Sequence, residues 1–311
     1  MSLSFSLYPL RFHFRAVDSL FFPEGKSGNV VRGAFGEIFR HLVCLPECRD
    51  ARTCERRRNC PYARVFEPSL LAGPSGMADP PRPFVFRAAH LDGRRVPPGE
   101  EFFFDVNLFD TQEPLIAYFV ASFAQLAREG LGPHRGRAVL EKVTSVAPQA
   151  GKLVFDGPTR RFHEPVEPLA LHLTPDAAPV SRLRIEFLTP TEIKGGDQVV
   201  AKPEFGTLFA RARDRMSALR GLYGEGPLPI DFRAMGERAA AVRMTRCDLR
   251  HVQGERRSGR TGQVHPLGGL IGVAEYEGDM GEFVPILKAA EWTGVGRQTV
   301  WGKGAIRVAV M

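Results

Sequence analysis

The second half of the chain sets out an order of periodicities that few folds can accommodate. Alternating runs at 182–189, 240–251, 267–276 and 303–310 read as strands, while 204–222 and 281–291 carry apolar residues at helical spacing. The order is β-α-β-β-α-β, that of the ferredoxin-like unit. One face of such a sheet stays free of helices, and RNA-recognition modules use that face for single-stranded RNA.

The first half opens in the same way. Residues 3–14 alternate, with Leu3, Phe5 and Leu7 on one parity. After the turn FPEGKSGN, the residues Val30, Val31, Ala34, Phe35, Ile38, Phe39 and Leu42 recur at helical spacing, with Asn29 as the expected N-cap. Residues 44–100 read as a long irregular insertion of cysteines, prolines and arginines. EEFFFDVNLF then reads as a strand, EPLIAYFVASFAQLARE as a helix, and GRAVLEKVTSV and KLVFDG as strands. The proline-dotted stretch FHEPVEPLALHLTPDAAPVS is the expected linker. A chain of 311 residues has room for two cores. The expectation is an α+β protein of two domains: residues 1–178, with a cysteine-rich insertion at about 44–100, and residues 179–311, the second of them ferredoxin-like (RRM-like). No sequence repeat relates the halves.

A formal charge of +7 favours a polyanionic partner, nucleic acid ahead of a membrane surface. No apolar run approaches the roughly 18 residues that would span a bilayer. The N-terminus has no basic leader region, and Arg11, His13 and Arg15 interrupt it before a signal-like block can form, so a cytoplasmic protein is expected.

Four of the five cysteines fall in CLPECRDARTCERRRNC, at Cys44, Cys48, Cys54 and Cys60. In a cytoplasmic chain this clustering favours a tetrahedral structural zinc site over disulfides; an iron–sulfur cluster and unligated thiols are the alternatives. Cys247 is isolated in a strand and reads as a small core residue. The Gly-Lys-Ser at 25–27 is no mononucleotide loop, because Leu20 stands where its first glycine should be.

Near the C-terminus, EWTGVGRQTVWGKGAIRVAV interleaves Gly294, Gly296, Gly302 and Gly304 with Arg297 and Lys303. Taken alone it is either a turn or a loop bare enough to bring backbone amides against phosphates. The segment GVGRQTVWGKG resembles the C-terminal glycine-rich loop of the RAMP superfamily, specifically of the CRISPR-associated endoribonucleases that process precursor CRISPR RNA. NVVRGAFGEIFRHLVC, CPYARVFEP, GLGPHRGRAVLEKV, LTPTEIKGG and HPLGGLIGVAEYEGDMGEFVPIL stand in the order and at about the spacing of that family, across nearly the whole chain. Two features depart from it: Asp110 stands where glycine is expected, and GERRSGRTGQ follows the family's Arg- and Ser-containing stretch only loosely.

The resemblance implies two ferredoxin-like domains and metal-independent cleavage of CRISPR repeat RNA, with no cofactor for catalysis. The RNA's own 2′-hydroxyl would attack the adjacent phosphorus, leaving a 2′,3′-cyclic phosphate and a 5′-hydroxyl. The implied partners are repeat RNA, the processed crRNA and other CRISPR effector subunits, with no membrane. The alternative within the superfamily is a non-catalytic subunit that holds processed RNA in an effector complex. The chemistry needs a base, an acid and positive charge. By resemblance the catalytic candidate is His41, near the end of the first helix, with Glu37 one turn earlier to orient it, and Lys26 is a candidate for phosphate charge. The alternatives are a half-buried structural histidine and a solvated turn lysine. His13 is a further candidate for the same cleft, and His265 a structural or RNA-contacting one. The RNA-binding candidates are Arg256, Arg257, Arg260, Gly294, Gly296, Arg297, Gly302, Lys303 and Gly304.

Overall fold

The computed structural model describes residues 3–311 except 46, 49, 52, 69–79, 164, 176–177 and 258–263. The chain divides into two compact units, one of residues 6–169 with 221–225, the other of residues 1–5, 170–220 and 226–311.

In the N-terminal sheet the elements follow as β1 (Ser4–Ala16), α1 (Ser27–Val43), a short α2 (Pro61–Phe66), β2 (Phe84–Arg87), β3 (Glu101–Leu108), α3 (Ile116–Glu129) and β4 (Ala138–Ser145). β1 lies between β3 and β4, antiparallel to both, and β2 pairs outside β3. That is the ferredoxin-like order, lengthened past β4 by β5 (Leu153–Asp156) and β6 (Arg161–Phe162). The period of two along a strand sends Phe12 and Phe14 of β1 and Phe102 and Phe104 of β3 to one face, where all four are buried. There they meet Phe35 and Phe39 of α1 and Phe119 and Phe123 of α3; the Phe35 ring centre lies 4.7 Å from Phe123 and 4.9 Å from Phe119. The same alternation turns Arg11, His13 and Arg15 away from this core.

The second unit holds β7 (Arg182–Thr191), α4 (Phe205–Tyr223), α5 (Phe232–Ala240), β8 (Arg243–Val252), β9 (Glu255–Arg257), β10 (Val264–Pro266), β11 (Gly269–Glu277), α6 (Val284–Thr293) and β12 (Ile306–Val310). Its four-stranded sheet runs β8–β11–β7–β12, the same ferredoxin-like order, and β9 and β10 form a separate hairpin. Leu183, Ile185 and Phe187 of β7 are buried, as are Phe205, Phe209, Ala212 and Met216 of α4 and Ile286, Leu287 and Ala290 of α6. The fold is thus α+β with two tandem ferredoxin-like domains, and the cysteine-bearing segment is inserted in the first.

Three local features differ from the sequence reading. Strand β2 lies inside the stretch read as irregular: FVFR has four residues, three of them buried, too few to show a period. Helix α1 starts at Ser27, ahead of Asn29, because the Asp92 carboxylate, 65 residues away, accepts the Ser27 N–H at 2.9 Å. Helix α5 precedes strand β8 where periodicity gives no helix; Asp231 caps it, its carboxylate accepting the N–H groups of Arg233 and Ala234 at 3.0 Å each. Asp110 also acquires a role. It is 5% exposed, pairs with the Arg64 guanidinium, and accepts N–H bonds from Gln112 and Glu113 in the turn that leads to α3. Among the described residues no helix is long and apolar enough to cross a membrane.

Candidate functional site

Helix α1 carries a candidate at each end. Phe35, Ile38 and Phe39 face the core, and His41 is exposed on the last turn, off that stripe. Lys26 is the N-cap residue and is also exposed. Fifteen residues at 1.5 Å per residue put the two about 22 Å apart along the axis, so they cannot share one phosphate. Glu37 is exposed, and among the described residues no hydrogen bond joins it to His41. The neighbouring Arg40 is tied down instead, its Nη2 donating to the Cys48 carbonyl at 2.8 Å.

His13 lies on the face of the sheet away from the phenylalanine core. Its Nε2 is 3.0 Å from the Thr144 hydroxyl of β4. Partial burial, then Lys142 and Arg11 nearby, hold its imidazole below the ordinary histidine range. Arg11 itself is clasped by the Asp105 carboxylate through two bonds of 2.7 and 3.0 Å.

In the second unit every glycine of the C-terminal loop answers to its own backbone. Gly294 ends α6 at φ 74°, and Gly302 closes the turn 299–301 at φ 77°. A Cβ on Gly296, at φ 78°, would stand 2.3 Å from the Glu192 carbonyl oxygen; one on Gly304, at φ 71°, would stand 2.1 Å from that of Val295. The loop is stitched to the end of β7 and to itself: Arg297 N–H to Glu192 O at 3.0 Å, Gly304 N–H to Pro190 O at 3.2 Å, and Val295 N–H to Gly304 O at 2.9 Å. Arg297 adds a 2.8 Å bond to the Glu192 carboxylate, yet its side chain is 56% exposed. Lys303 is 7% exposed. The Gln298 side-chain amide donates to the carbonyl of Pro266, on β10, which brings the loop beside the hairpin of β9 and β10. Arg256 and Arg257 lie in that hairpin, opposite His265 and Val264, and Arg260 lies outside the described residues. The backbone positions of Arg256 and Arg257 therefore lie in the hairpin that the loop meets at Pro266. Glu192 is the residue that spacing could not reveal, since its partner is 105 positions away.

The four cysteines stand at chain reversals. Cys44 caps the end of α1, the Cys48 N–H turns back to Leu45 O at 3.0 Å, Cys54 O accepts from Arg57 N–H at 3.1 Å, and Cys60 caps the start of α2. All are half-buried free thiols. Burial, then Cys60 and Cys48, push the Cys44 thiol up to about 11, and burial with the neighbouring Cys54 raises Cys48. Among the described residues no three His, Cys, Asp or Glu side chains stand in metal-holding geometry. Cys247 is a half-buried free thiol in β8.

Residues 5–167 match a family model described as an N-terminal domain, and residues 185–306 match the model of the CRISPR-associated endoribonuclease Cas6. Residues 185–306 thus carry a Cas6 domain. Solved structures bearing the Cas6 name share its fold. The Cas6 (TTHB231) product complex is 16% identical, with 98% of this chain and 99% of that one covered and a TM-score of 0.58. Thermus thermophilus Cas6 (TTHB231) is 14% identical over 99% and 100% of the two chains, with a TM-score of 0.54. A partial Cas6-RT-Cas1–Cas2 complex is 13% identical, with 100% of this chain and 47% of that one covered and a TM-score of 0.58. No curated protein matches this sequence.

Proposed function

We propose that this chain, with its Cas6 domain, cleaves CRISPR repeat RNA to mature crRNA without a catalytic metal, through the RNA's own 2′-hydroxyl. The bond from the 2′-oxygen to phosphorus forms, and the bond from phosphorus to the 5′-oxygen of the next nucleotide breaks. One proton leaves the 2′-hydroxyl, one reaches the departing 5′-oxygen, and the products are a 2′,3′-cyclic phosphate and a 5′-hydroxyl. The observation that carries this reading is His41, an exposed imidazole on the last turn of α1 that no hydrogen bond commits among the described residues. An imidazole can serve as either base or acid, according to which oxygen the bound RNA presents. Lys26, at the far end of the same helix, serves a different phosphate along the RNA. Arg297, Arg256 and Arg257 supply positive charge for the backbone. The solved relative named a Cas6 product complex supports a bound reaction product, and the Cas6-RT-Cas1–Cas2 complex supports other CRISPR proteins as further partners.

The test is incubation with end-labelled repeat RNA from the protein's own locus in EDTA. Wild type should cut once per repeat, and an RNA with a 2′-deoxy sugar at the attacking nucleotide should bind and stay intact. His41→Ala should bind normally and cut about 10²-fold or more slowly. Cleavage of the deoxy substrate would defeat the 2′-hydroxyl mechanism. Tight binding without cleavage by wild type would make the chain an RNA-holding subunit.

A further inference from the structure

The segment from Cys44 to Cys60 has almost nothing apolar to hold it. Among its described residues only Ala51 is buried, and its one regular element, the 3-10 turn Arg57–Asn59, buries no side chain. Chain ordering costs roughly 1–2 kcal/mol per residue, which hydrophobic burial here cannot offset. Yet the segment connects two packed pieces: α1, whose Phe35 and Phe39 are in the core, and α2, whose Phe66 lies 5.6 Å from Phe35 and 5.4 Å from Phe39 between ring centres.

What converges instead is sulfur. Cys44 has Cys48 and Cys60 for neighbours, and Cys48 has Cys54, so each of the four thiols stands near at least one other, at a reversal of the chain. We infer that Cys44, Cys48, Cys54 and Cys60 bind one zinc ion as four thiolates, a structural site that clamps the His41 end of α1 to the start of α2. Zinc–sulfur bonds near 2.3 Å set sulfur–sulfur edges of about 3.8 Å, the scale of a thiol–thiol contact. No three of these side chains stand in metal-holding geometry without the ion, so binding draws the four thiolates together into a tetrahedron. Four S–H protons leave to solvent, and the zinc with four thiolates carries a net charge of about −2. Arg40, bonded to the Cys48 carbonyl, stands beside that charge, and the exposed Arg56, Arg57 and Arg58 belong to the same segment. All four positions are filled by protein, so the ion has no site for substrate. His41 is three residues from Cys44, which makes the zinc a positioning element for it. The metal claim stands apart from the endoribonuclease reading; only the link to His41 rests on it.

The test begins with elemental analysis of the purified full chain. About one zinc per chain is expected in wild type and in the control Cys247→Ser, and loss of zinc in Cys48→Ser and Cys54→Ser. Should those variants fail to fold, wild type alone decides: a thiol-reactive mercurial should release one zinc to a colorimetric indicator. Cobalt in place of zinc should give intense tetrahedral thiolate absorption. Trypsin should cut among Arg56–Arg58 at least tenfold faster after zinc release. No zinc, iron with visible absorption, or zinc retained by both serine variants overturns the proposal. Zinc is also measured after the EDTA incubation used for cleavage, so that loss of a structural ion is not scored as a catalytic metal requirement.

Discussion

Glu192 and Arg297 are joined twice across 105 residues: carboxylate to guanidinium at 2.8 Å and carbonyl to amide N–H at 3.0 Å. The double link holds the glycine-rich loop on the end of β7. Between its two halves sits Gly296, with no room for a side chain.

That arrangement ranks two substitutions. Gly296→Ala forces a Cβ against the Glu192 carbonyl at a left-handed φ and should cost about 2–4 kcal/mol. Glu192→Gln keeps the backbone bond and weakens only a pair whose arginine is half in solvent, about 1 kcal/mol. Urea unfolding and filter binding to repeat RNA should rank the variants in that order. Equal losses would mean that charge, not backbone fit, seats the loop.

The Arg64–Asp110 pair is buried, with 14% and 7% of the side chains exposed. Asp110→Ala should destabilise by about 3 kcal/mol, since it leaves the buried guanidinium only the exposed Glu113 carboxylate at 3.6 Å and uncaps the N–H groups of Gln112 and Glu113. Adding Arg64→Met removes the stranded charge and should recover part of the loss in the same unfolding assay. A double variant worse than the single would refute the stranded-charge account.

His13 makes stability depend on pH. Burial, Lys142 and Arg11 oppose its protonation in the fold, and Asp105 and Glu101 offset them only in part. Below the ordinary histidine pKa of about 6.5 the unfolded chain takes up a proton that the folded one refuses. Stability should therefore fall as pH drops through this range and be flat in this respect above about pH 7. Unfolding at pH 7.5 and 5.5 should show a smaller acid loss in His13→Gln, whose amide can keep a bond to Thr144. Identical acid losses would place the titration elsewhere.

The outer edge of β12 is closed by side chains. Val308 donates its N–H to Glu291 at 2.6 Å and receives Lys288 Nζ on its carbonyl at 2.5 Å. A freed edge is a template for another strand. Glu291→Ala combined with Lys288→Ala should raise self-association in light scattering at high protein concentration, with the folded signal retained. An unchanged molecular mass would show that the edge needs no such guard.

Much of the fold was legible in the residues themselves, because its signals are local. The period of two along Phe12–Phe14 and Phe102–Phe104 and the helical stripe Phe35–Ile38–Phe39 are read within a few residues; the order of such signals yields the second ferredoxin-like unit, and the family resemblance supplied the first. FVFR at 84–87 was not legible: four residues show no period, and only pairing with β3 makes them a strand. The start of α1 was hidden for a related reason, its cap being Asp92, far along the chain.

The glycines and arginines of the C-terminal loop were visible as candidates, and so were His41 and the four cysteines. Sequence determined which side chains exist and which period each segment follows. Tertiary structure decided that Lys303 is buried while Arg297 is exposed, that Lys26 and His41 stand a helix length apart, and that Glu192 closes on Arg297. The reason is physical: propensity and period act between near neighbours, whereas burial, charge pairing and steric fit depend on whatever the rest of the chain brings alongside.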